Sequence, residues 1–313
     1  AALEQQFSDI AQGHYWYDGI LKHQWLGMMF GAVARRWILG DGVGLGKTRT
    51  TIGWLDLIGA KKVLIVCEAN ICNQFAGEVM DLAPHRTLVN LYKRQVRKGK
   101  KWPELRHEIL DSLLSMDEAV VVVNYEIWRR DKEILAKLME WEIDTIVVDE
   151  AHNLKNTTTV NFTSLKSLIT CDNLCGRCGK HIRGLYDPEA AREVPSRKVP
   201  RPCPECGWKA GERKRVEAAN PLTDLLVTRS VKNVCLTTGT PILNSPTDLY
   251  ALLHLLDPIL FKNQASFETT FLTNNYHSGK WEFRPGALAT LKPLIEGRFL
   301  QRNRDDAGIV LPE

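Results

Sequence analysis

Short runs of apolar, mostly β-branched residues recur along the chain, and polar clusters follow several of them. The runs are VLIVCE (63–68), AVVVVNYE (119–126), DTIVVDEAH (144–152) and NVCLTTGTP (233–241). They do not alternate between apolar and polar residues, which indicates strands that are buried on both faces of a parallel sheet. Stretches with helical spacing follow the first two runs. The pattern predicts an α/β fold, with a mainly parallel sheet flanked by helices.

Residues 171–217 break this pattern, because proline, glycine, cysteine and arginine dominate there and apolar periodicity is lost. We interpret this segment as an insertion into the sheet domain. The predicted organisation has four parts: an N-terminal helical segment (1–35), a first part of the sheet domain (36–170), the insertion (171–217), and a second part that ends in a helical segment (218–313).

Composition narrows the class of protein only slightly. The chain has 313 residues, and 44% of them are hydrophobic, so we expect a sizeable core. The net charge of +4 is only mildly basic and does not by itself indicate a nucleic-acid partner. No apolar run is long enough to span a membrane, and the N-terminal residues do not read as a secretory signal. We therefore expect an intracellular protein, in the cytoplasm or nucleoid, or in the nucleus of a eukaryote.

The stretch WILGDGVGLGKTRTT (37–51) has the composition of a phosphate-binding loop. Glycines at 42, 44 and 46 allow backbone N–H groups to converge on phosphate oxygens, Lys47 supplies a cation, and Thr48 supplies a hydroxyl for magnesium. The strict motif has glycine where Asp41 stands. A glycine turn that caps a helix is the alternative interpretation of the loop taken alone.

The sequence DEAH (149–152) follows another buried run. At the end of a strand, Asp149 can hold a magnesium ion through its water shell, and Glu150 can orient or deprotonate an attacking water. Because the carboxyl ends of parallel strands share one edge, this cluster is expected near the glycine loop and TGTP (238–241).

The order of LKHQ, DGVGLGKT, VVVVNYE, VVDEAHNLKN and TGTPILNSPTDLYALLHLLDP resembles that of the Swi/Snf-type ATPases. These are superfamily-two motors that translocate on double-stranded DNA, and the resemblance implies a RecA-like lobe that uses ATP and Mg²⁺. The family's loop reads Asp-Glu-Met-Gly-Leu-Gly-Lys-Thr, so Asp41 stands at its family position. Gly42 and Val43 depart from that pattern, and so does Leu243, where the family has glutamine.

The resemblance also implies roles for individual residues. ATP contacts are implied for Gln24, which would read the adenine, and for Asp41, Gly42, Gly44, Leu45, Gly46, Lys47 and Thr48. Catalysis is implied for Lys47, Asp149 and Glu150, and magnesium binding for Thr48 and Asp149. Coupling of ATP hydrolysis to movement is implied for His152, Thr238 and Thr240. DNA contacts are implied for Asn70, Asn124 and Tyr125. By residue type alone, Gln24 could be a solvated glutamine on an amphipathic helix, and His152 a structural histidine.

The resemblance implies ATP hydrolysis between two RecA-like lobes. The segment FLQRNRDDAGIVLPE (299–313) resembles the one that closes the first lobe, so we expect these residues to supply the first lobe alone. We expect the second lobe to be a partner in cis or in trans, and the isolated chain to hydrolyse ATP poorly. Arg298, Arg302 and Arg304 do not resemble arginine fingers. A solvated or DNA-facing role is expected for them.

Two Cys-x-x-Cys pairs lie in the insertion: Cys175 with Cys178, and Cys203 with Cys206. Two such turns predict a closed, four-sulfur structural zinc site, a zinc ribbon. Residues 177–215 carry eleven Lys/Arg against five Asp/Glu, which fits phosphate contacts. A solvated module that is purely structural or binds a protein partner fits equally well.

Three functions remain open at this stage. The first is a motor lobe of a double-stranded DNA translocase. A strand-separating helicase or restriction-type motor subunit uses the same motifs. The non-enzymatic alternative is a zinc-ribbon binding module with a nucleotide-sensing lobe.

Overall fold

A computed structural model describes residues 2–92, 102–169, 231–240, 245–258, 260–275 and 280–307 of the chain. The chain divides into two compact units. The larger comprises Ala1–Lys166 and Val231–Glu313, and the smaller, Ser167–Ser230, lies almost entirely outside the described residues.

The larger unit is built on a seven-stranded sheet with the order β3-β4-β2-β5-β6-β1-β9, and every neighbouring pair in it is parallel. A separate antiparallel hairpin joins β7 to β8. The strands are β1 (Arg36–Leu39), β2 (Lys62–Cys67), β3 (Leu88–Asn90), β4 (Ala119–Asn124), β5 (Thr145–Val148), β6 (Asn233–Thr237), β7 (Leu272–Asn274), β8 (Trp281–Phe283) and β9 (Phe299–Leu300).

Helices cover the sheet and supply its crossover connections. They are α1 (Ala2–Ala11), α2 (Lys22–Ala34), α3 (Lys47–Leu57), α4 (Cys72–Leu82), α5 (Trp102–Leu113), α6 (Tyr125–Arg130), α7 (Lys132–Glu140), α8 (Val160–Ile169), α9 (Thr247–Leu256), α10 (Gln264–Phe271) and α11 (Ala287–Ile295), with a 3₁₀ turn at Ala151–Leu154. In the part of the chain that the structure describes, no helix is both long and apolar enough to cross a membrane.

The central strands are buried on both faces, as their apolar runs predict. All six residues of β4 and all four of β5 are buried. Apolar side chains can occupy both faces only where helices cover both, and that arrangement excludes water from the sheet. The predicted α/β fold with a mainly parallel sheet is confirmed.

The core on one side of the sheet is rich in tryptophan. Trp16, Trp37 and Trp54 are fully buried, and the rings of the last two meet edge-to-face with centroids 5.7 Å apart. Helix α2 approaches Trp37 closely at Gly31, where an added Cβ would lie 2.3 Å from the indole. This packing fixes α2 against β1 and α3, the elements that flank the glycine loop.

Candidate nucleotide-binding site

Three polar loops follow three adjacent strands at one edge of the sheet. Leu39 at the end of β1 lies beside Thr237 of β6, and Leu236 of β6 lies beside Val148 of β5. The glycine loop, TGT and DEAH begin directly after these strands. The structure therefore brings together the three clusters that the sequence predicted at one edge.

The glycine loop turns sharply into helix α3. Gly44 and Gly46 have φ values of +85° and +76°, and Gly46 is the residue before the first turn of α3. Left-handed backbone of this kind favours glycine. The Lys47 ammonium donates to the carbonyl of Asp41 at 3.1 Å, so the side chain reaches back to the start of the loop. Thr48 is half-buried in the first turn of α3.

Helix α2 contacts the loop from the side. Gln24 is only 5% exposed, its Nε2 donates to the carbonyl of Leu45 at 3.2 Å, and its Oε1 accepts from the backbone of Leu21 at 3.2 Å. His23 donates to the same Leu45 carbonyl at 2.8 Å. The alternative of a solvated glutamine is wrong, because this side chain is buried against the loop.

Asp41 is bound by an arginine from the far end of the chain. The carboxylate is 1% exposed, and Arg302 donates to it from Nε at 3.0 Å and from Nη2 at 2.6 Å. The expectation of a solvated or DNA-facing Arg302 is wrong, since its side chain is only 13% exposed. Arg298 instead pairs with Asp257 at 2.9 Å, and Arg304 is exposed beside the loop carbonyl of Val43.

Two hydroxyl groups hold the start of DEAH. Thr237 donates to Oδ1 of Asp149 at 2.5 Å, and Tyr125 donates to the backbone carbonyl of Asp149 at 2.8 Å. Burial, and then the negative charge of Asp149, raise the pKa of the Tyr125 hydroxyl, so it stays a proton donor. The carboxylate of Asp149 is thus oriented from the strand beside it.

The next residues form a compact polar turn. Glu150 has φ +49°, and its Oε2 lies 3.1 Å from Nδ1 of His152. Asn153 donates to the carbonyl of Glu150 at 3.1 Å and to Oε1 of Glu68 at 3.2 Å. The sequence analysis did not predict Glu68 or Asn153 at this site. Glu68 directly follows β2, and because the carboxyl ends of parallel strands share one edge of the sheet, its position could have been predicted.

The loop after β6 lies between the other two. The backbone N–H of Thr238 donates to the carbonyl of Leu39 at 3.0 Å, and the Thr238 hydroxyl accepts from the backbone of Thr240 at 3.1 Å. A Cβ added at Gly239 would lie 3.9 Å from Nζ of Lys47. A residue of this loop therefore lies close to the cation of the phosphate loop.

The sequence model of the SNF2-related domain matches residues 23–175 and 211–313, more than half of the chain. The chain belongs to this family. The matched residues include the loop with Asp41.

Similar proteins agree with the SNF2-related assignment. The ISWI chromatin-remodeling complex ATPase ISW1 of Saccharomyces cerevisiae is 35% identical over 125 residues, which cover 38% of this chain and 10% of the yeast protein. Protein CHROMATIN REMODELING 5 of Arabidopsis thaliana is 24% identical over 295 residues, covering 88% of this chain and 12% of the plant protein. The chain spans only about a tenth of these relatives.

A solved structure shares the fold. The Sulfolobus solfataricus SWI2/SNF2 ATPase core in complex with dsDNA superposes with a TM-score of 0.58 at 20% identity. The match covers 93% of this chain and 46% of that core. This SNF2-related chain therefore corresponds in fold to slightly less than half of a solved core.

The three DNA-contact candidates lie in different surroundings. Asn70 is exposed in the turn before α4. Asn124 is 2% exposed, and its side chain caps α6 by accepting from the backbone of Ile127 at 3.1 Å. A DNA contact from the buried Asn124 side chain would require local opening, and the Tyr125 hydroxyl already donates its proton to the Asp149 carbonyl.

Several predicted residues lie outside the described part of the chain. They are Leu243 and the four predicted zinc ligands Cys175, Cys178, Cys203 and Cys206.

A separate polar cluster surrounds Asp56 in the last turn of α3. Ligand atoms of His14, Asp56 and His85 lie within 4.8 Å of one another, which is the composition of a metal site. However, Oδ1 of Asp56 accepts from Arg86 at 2.6 Å and Oδ2 accepts from Trp16 at 2.6 Å. A cation would have to displace the Arg86 guanidinium, so we interpret the cluster as a buried ion-pair network.

Proposed function

We propose that the chain is the N-terminal motor lobe of an ATP-dependent double-stranded DNA translocase. The observation that carries this proposal is the convergence of the glycine loop, TGT and DEAH on adjacent strands of a chain that belongs to the SNF2-related family. A glycine turn that merely caps a helix does not explain why two further polar loops meet it.

ATP binding follows from the groups at this edge. The loop's backbone N–H groups and the positive end of α3 attract phosphate, and Lys47 adds a cation. Thr48 and Asp149 offer the hard oxygen ligands that Mg²⁺ prefers. Glu150 would orient or deprotonate the attacking water, and Gln24 would read the adenine after it releases the Leu45 carbonyl.

Complete activity needs a second lobe in this proposal. The chain matches only 46% of the solved core, so a second RecA-like lobe would complete the site in cis or in trans. An arginine supplied across such an interface can contribute about three to five decades of rate. We therefore expect the isolated chain to bind ATP and to hydrolyse it poorly.

Double-stranded DNA is the proposed track. The solved core that shares this fold was obtained with dsDNA. Exposed Asn70 is our first candidate for a phosphate contact, because it needs no rearrangement, and Asn124 and Tyr125 remain candidates in an opened state. His152, Thr238 and Thr240 would couple nucleotide state to this surface. Contacts of this kind would carry little sequence specificity.

The insertion is proposed to be a zinc ribbon held by Cys175, Cys178, Cys203 and Cys206. The SNF2-related match omits residues 176–210, which supports an insertion at this place. Metal analysis of the purified chain should find one zinc ion, and substituting Cys203 and Cys206 with serine should remove it. Retention of zinc by that double variant would contradict the proposed ligand set.

The rival functions remain distinguishable. A strand-separating helicase or restriction-type motor subunit would unwind a plain duplex, which a translocase would not. A zinc-ribbon binding module would bind DNA or a protein partner equally well with Lys47→Ala. In each case we propose an intracellular location.

The test is nucleotide binding by this chain, followed by ATP hydrolysis, with and without duplex DNA, by the chain combined with a second RecA-like lobe in cis or in trans. Lys47→Ala should abolish both activities, whereas Lys61→Ala, which removes an exposed lysine away from the loop, should leave both unchanged. DNA-stimulated hydrolysis that survives Lys47→Ala would exclude the proposed site.

A further inference from the structure

Arg302 donates hydrogen bonds both to Asp41, at the start of the glycine loop, and to His23 of α2, the helix beside the loop. We propose that Arg302 is a positioning residue that holds the phosphate loop in its binding-competent shape through Asp41. This inference rests on the proposed nucleotide site and adds to it a determinant about 260 residues away in sequence.

The backbone around Arg302 runs beside the beginning of the loop. Three hydrogen bonds join the two segments: Ile38 N–H to the Arg298 carbonyl at 2.7 Å, Gly40 N–H to the Leu300 carbonyl at 2.7 Å, and Gly42 N–H to the Arg302 carbonyl at 2.9 Å. The first glycine of the loop is therefore fixed by the residue whose side chain binds Asp41.

The side chain of Arg302 also contacts the start of the loop, through a bidentate ion pair with Asp41. Both oxygens of the Asp41 carboxylate accept from Arg302, at 3.0 and 2.6 Å. Asp41 is almost fully buried, and a buried carboxylate without a partner is costly. Because Lys47 bonds the carbonyl of Asp41 and not its carboxylate, the ammonium does not compete with Arg302 for the same oxygens.

The same guanidinium also reaches helix α2. Its Nη1 donates to the carbonyl of His23 at 2.5 Å, and a Cβ added at Gly27 would lie 3.0 Å from its Nη2. His23 and Gln24 in turn bond the Leu45 carbonyl on the other side of the loop. Arg302, in the segment after β9, thus contacts both α2 and the start of the loop.

Arg302 acts through its neighbours in this arrangement. Each of its three guanidinium nitrogens donates within the fold, to Asp41 or to His23. Removing it should let the start of the loop and α2 move apart, so that the loop N–H groups no longer converge. Displacements of about 1 Å in such sites cost on the order of 100-fold in function.

The experiment is a fluorescence titration of the chain with N-methylanthraniloyl-ATP. Arg302→Ala should raise the Kd by about 10- to 100-fold. Arg302→Lys should recover only part of the lost affinity, because an ammonium cannot form the bidentate pair with Asp41. Arg298→Ala is the matched control, since it removes another ion pair beside β9, to Asp257, that does not reach the loop. Its Kd should change less than twofold.

A double-mutant cycle tests the route through Asp41. Arg302→Gln should weaken binding in the native background and have little further effect in Asp41→Asn, whereas independent, multiplying effects would overturn the proposal. Thermal unfolding of every variant separates positioning from folding. If Arg302→Ala and Arg298→Ala lower the Tm similarly and leave the Kd equally unchanged, the role of Arg302 is purely structural and the inference is wrong.

The outcome also separates this inference from the proposed function. If Lys47→Ala abolishes binding and Arg302→Ala does not weaken it, only the positioning role fails. If Lys47→Ala leaves binding intact, the nucleotide site itself is wrong, and the positioning role falls with it.

Discussion

Substituting Gly46 with alanine should test how tightly helix α2 closes against the phosphate loop. Gly46 has φ +76°, and an added Cβ would lie 2.2 Å from Nε2 of Gln24. Alanine in left-handed backbone costs about 1–2 kcal/mol. Since Gln24 is flexible at its tip, it should swing away and lose its bond to the Leu45 carbonyl, which adds about 0.5–1.5 kcal/mol. We expect a total loss of about 1.5–3.5 kcal/mol in the free energy of unfolding.

The assay is urea unfolding followed by tryptophan fluorescence, because Trp37 of β1 and Trp54 of α3 are fully buried and become exposed when the chain unfolds. Gly59→Ala is the control, since Gly59 has φ +62° and nothing within 4 Å of an added Cβ. It should show the backbone strain alone, about 1–2 kcal/mol. In a Gln24→Ala background, Gly46→Ala should cost no more than Gly59→Ala. An unchanged difference between the two in that background would refute the proposed clash with Gln24.

Three further predictions concern stability. Asn124→Ala removes the cap of α6 and should cost about 1 kcal/mol in urea unfolding, with Asn124→Ser recovering part of it because serine also accepts. Asp56→Asn leaves the Arg86 guanidinium without its carboxylate and should cost about 3–5 kcal/mol. Burial raises the pKa of the Cys235 thiol, so the folded chain keeps a proton that the unfolded chain releases above about pH 8.5. The free energy of unfolding should therefore fall above that pH by about 1.4 kcal/mol per pH unit from this group, and Cys235→Ala should make the decline shallower. A decline of unchanged slope in Cys235→Ala would contradict this assignment.

The sequence by itself determined the fold class and the position of the site. Uninterrupted apolar runs such as that of β4 require burial on both faces, and a parallel sheet covered by helices provides it. Since parallel strands end at one edge, the loops that begin at Asp41, Asp149 and Thr238 had to lie at the same edge. The apolar runs and the polar clusters that follow them are local patterns, so they can be recognised in a single sequence.

Only the tertiary structure decided which side chains hold those loops. Arg302 looks like a solvated residue in a charged C-terminal run, and Gln24 looks like a surface glutamine. In the fold, Gln24 is buried against the glycine loop, and Arg302 is largely covered and bonded to Asp41. Likewise, Thr237 reads as one more residue of β6, but its hydroxyl holds Asp149. The Arg302 and Thr237 contacts depend on strand order, β9 beside β1 and β6 between β1 and β5, and the Gln24 contact depends on how α2 packs beside the loop. Pairing between segments that are distant in sequence leaves no local pattern in the chain.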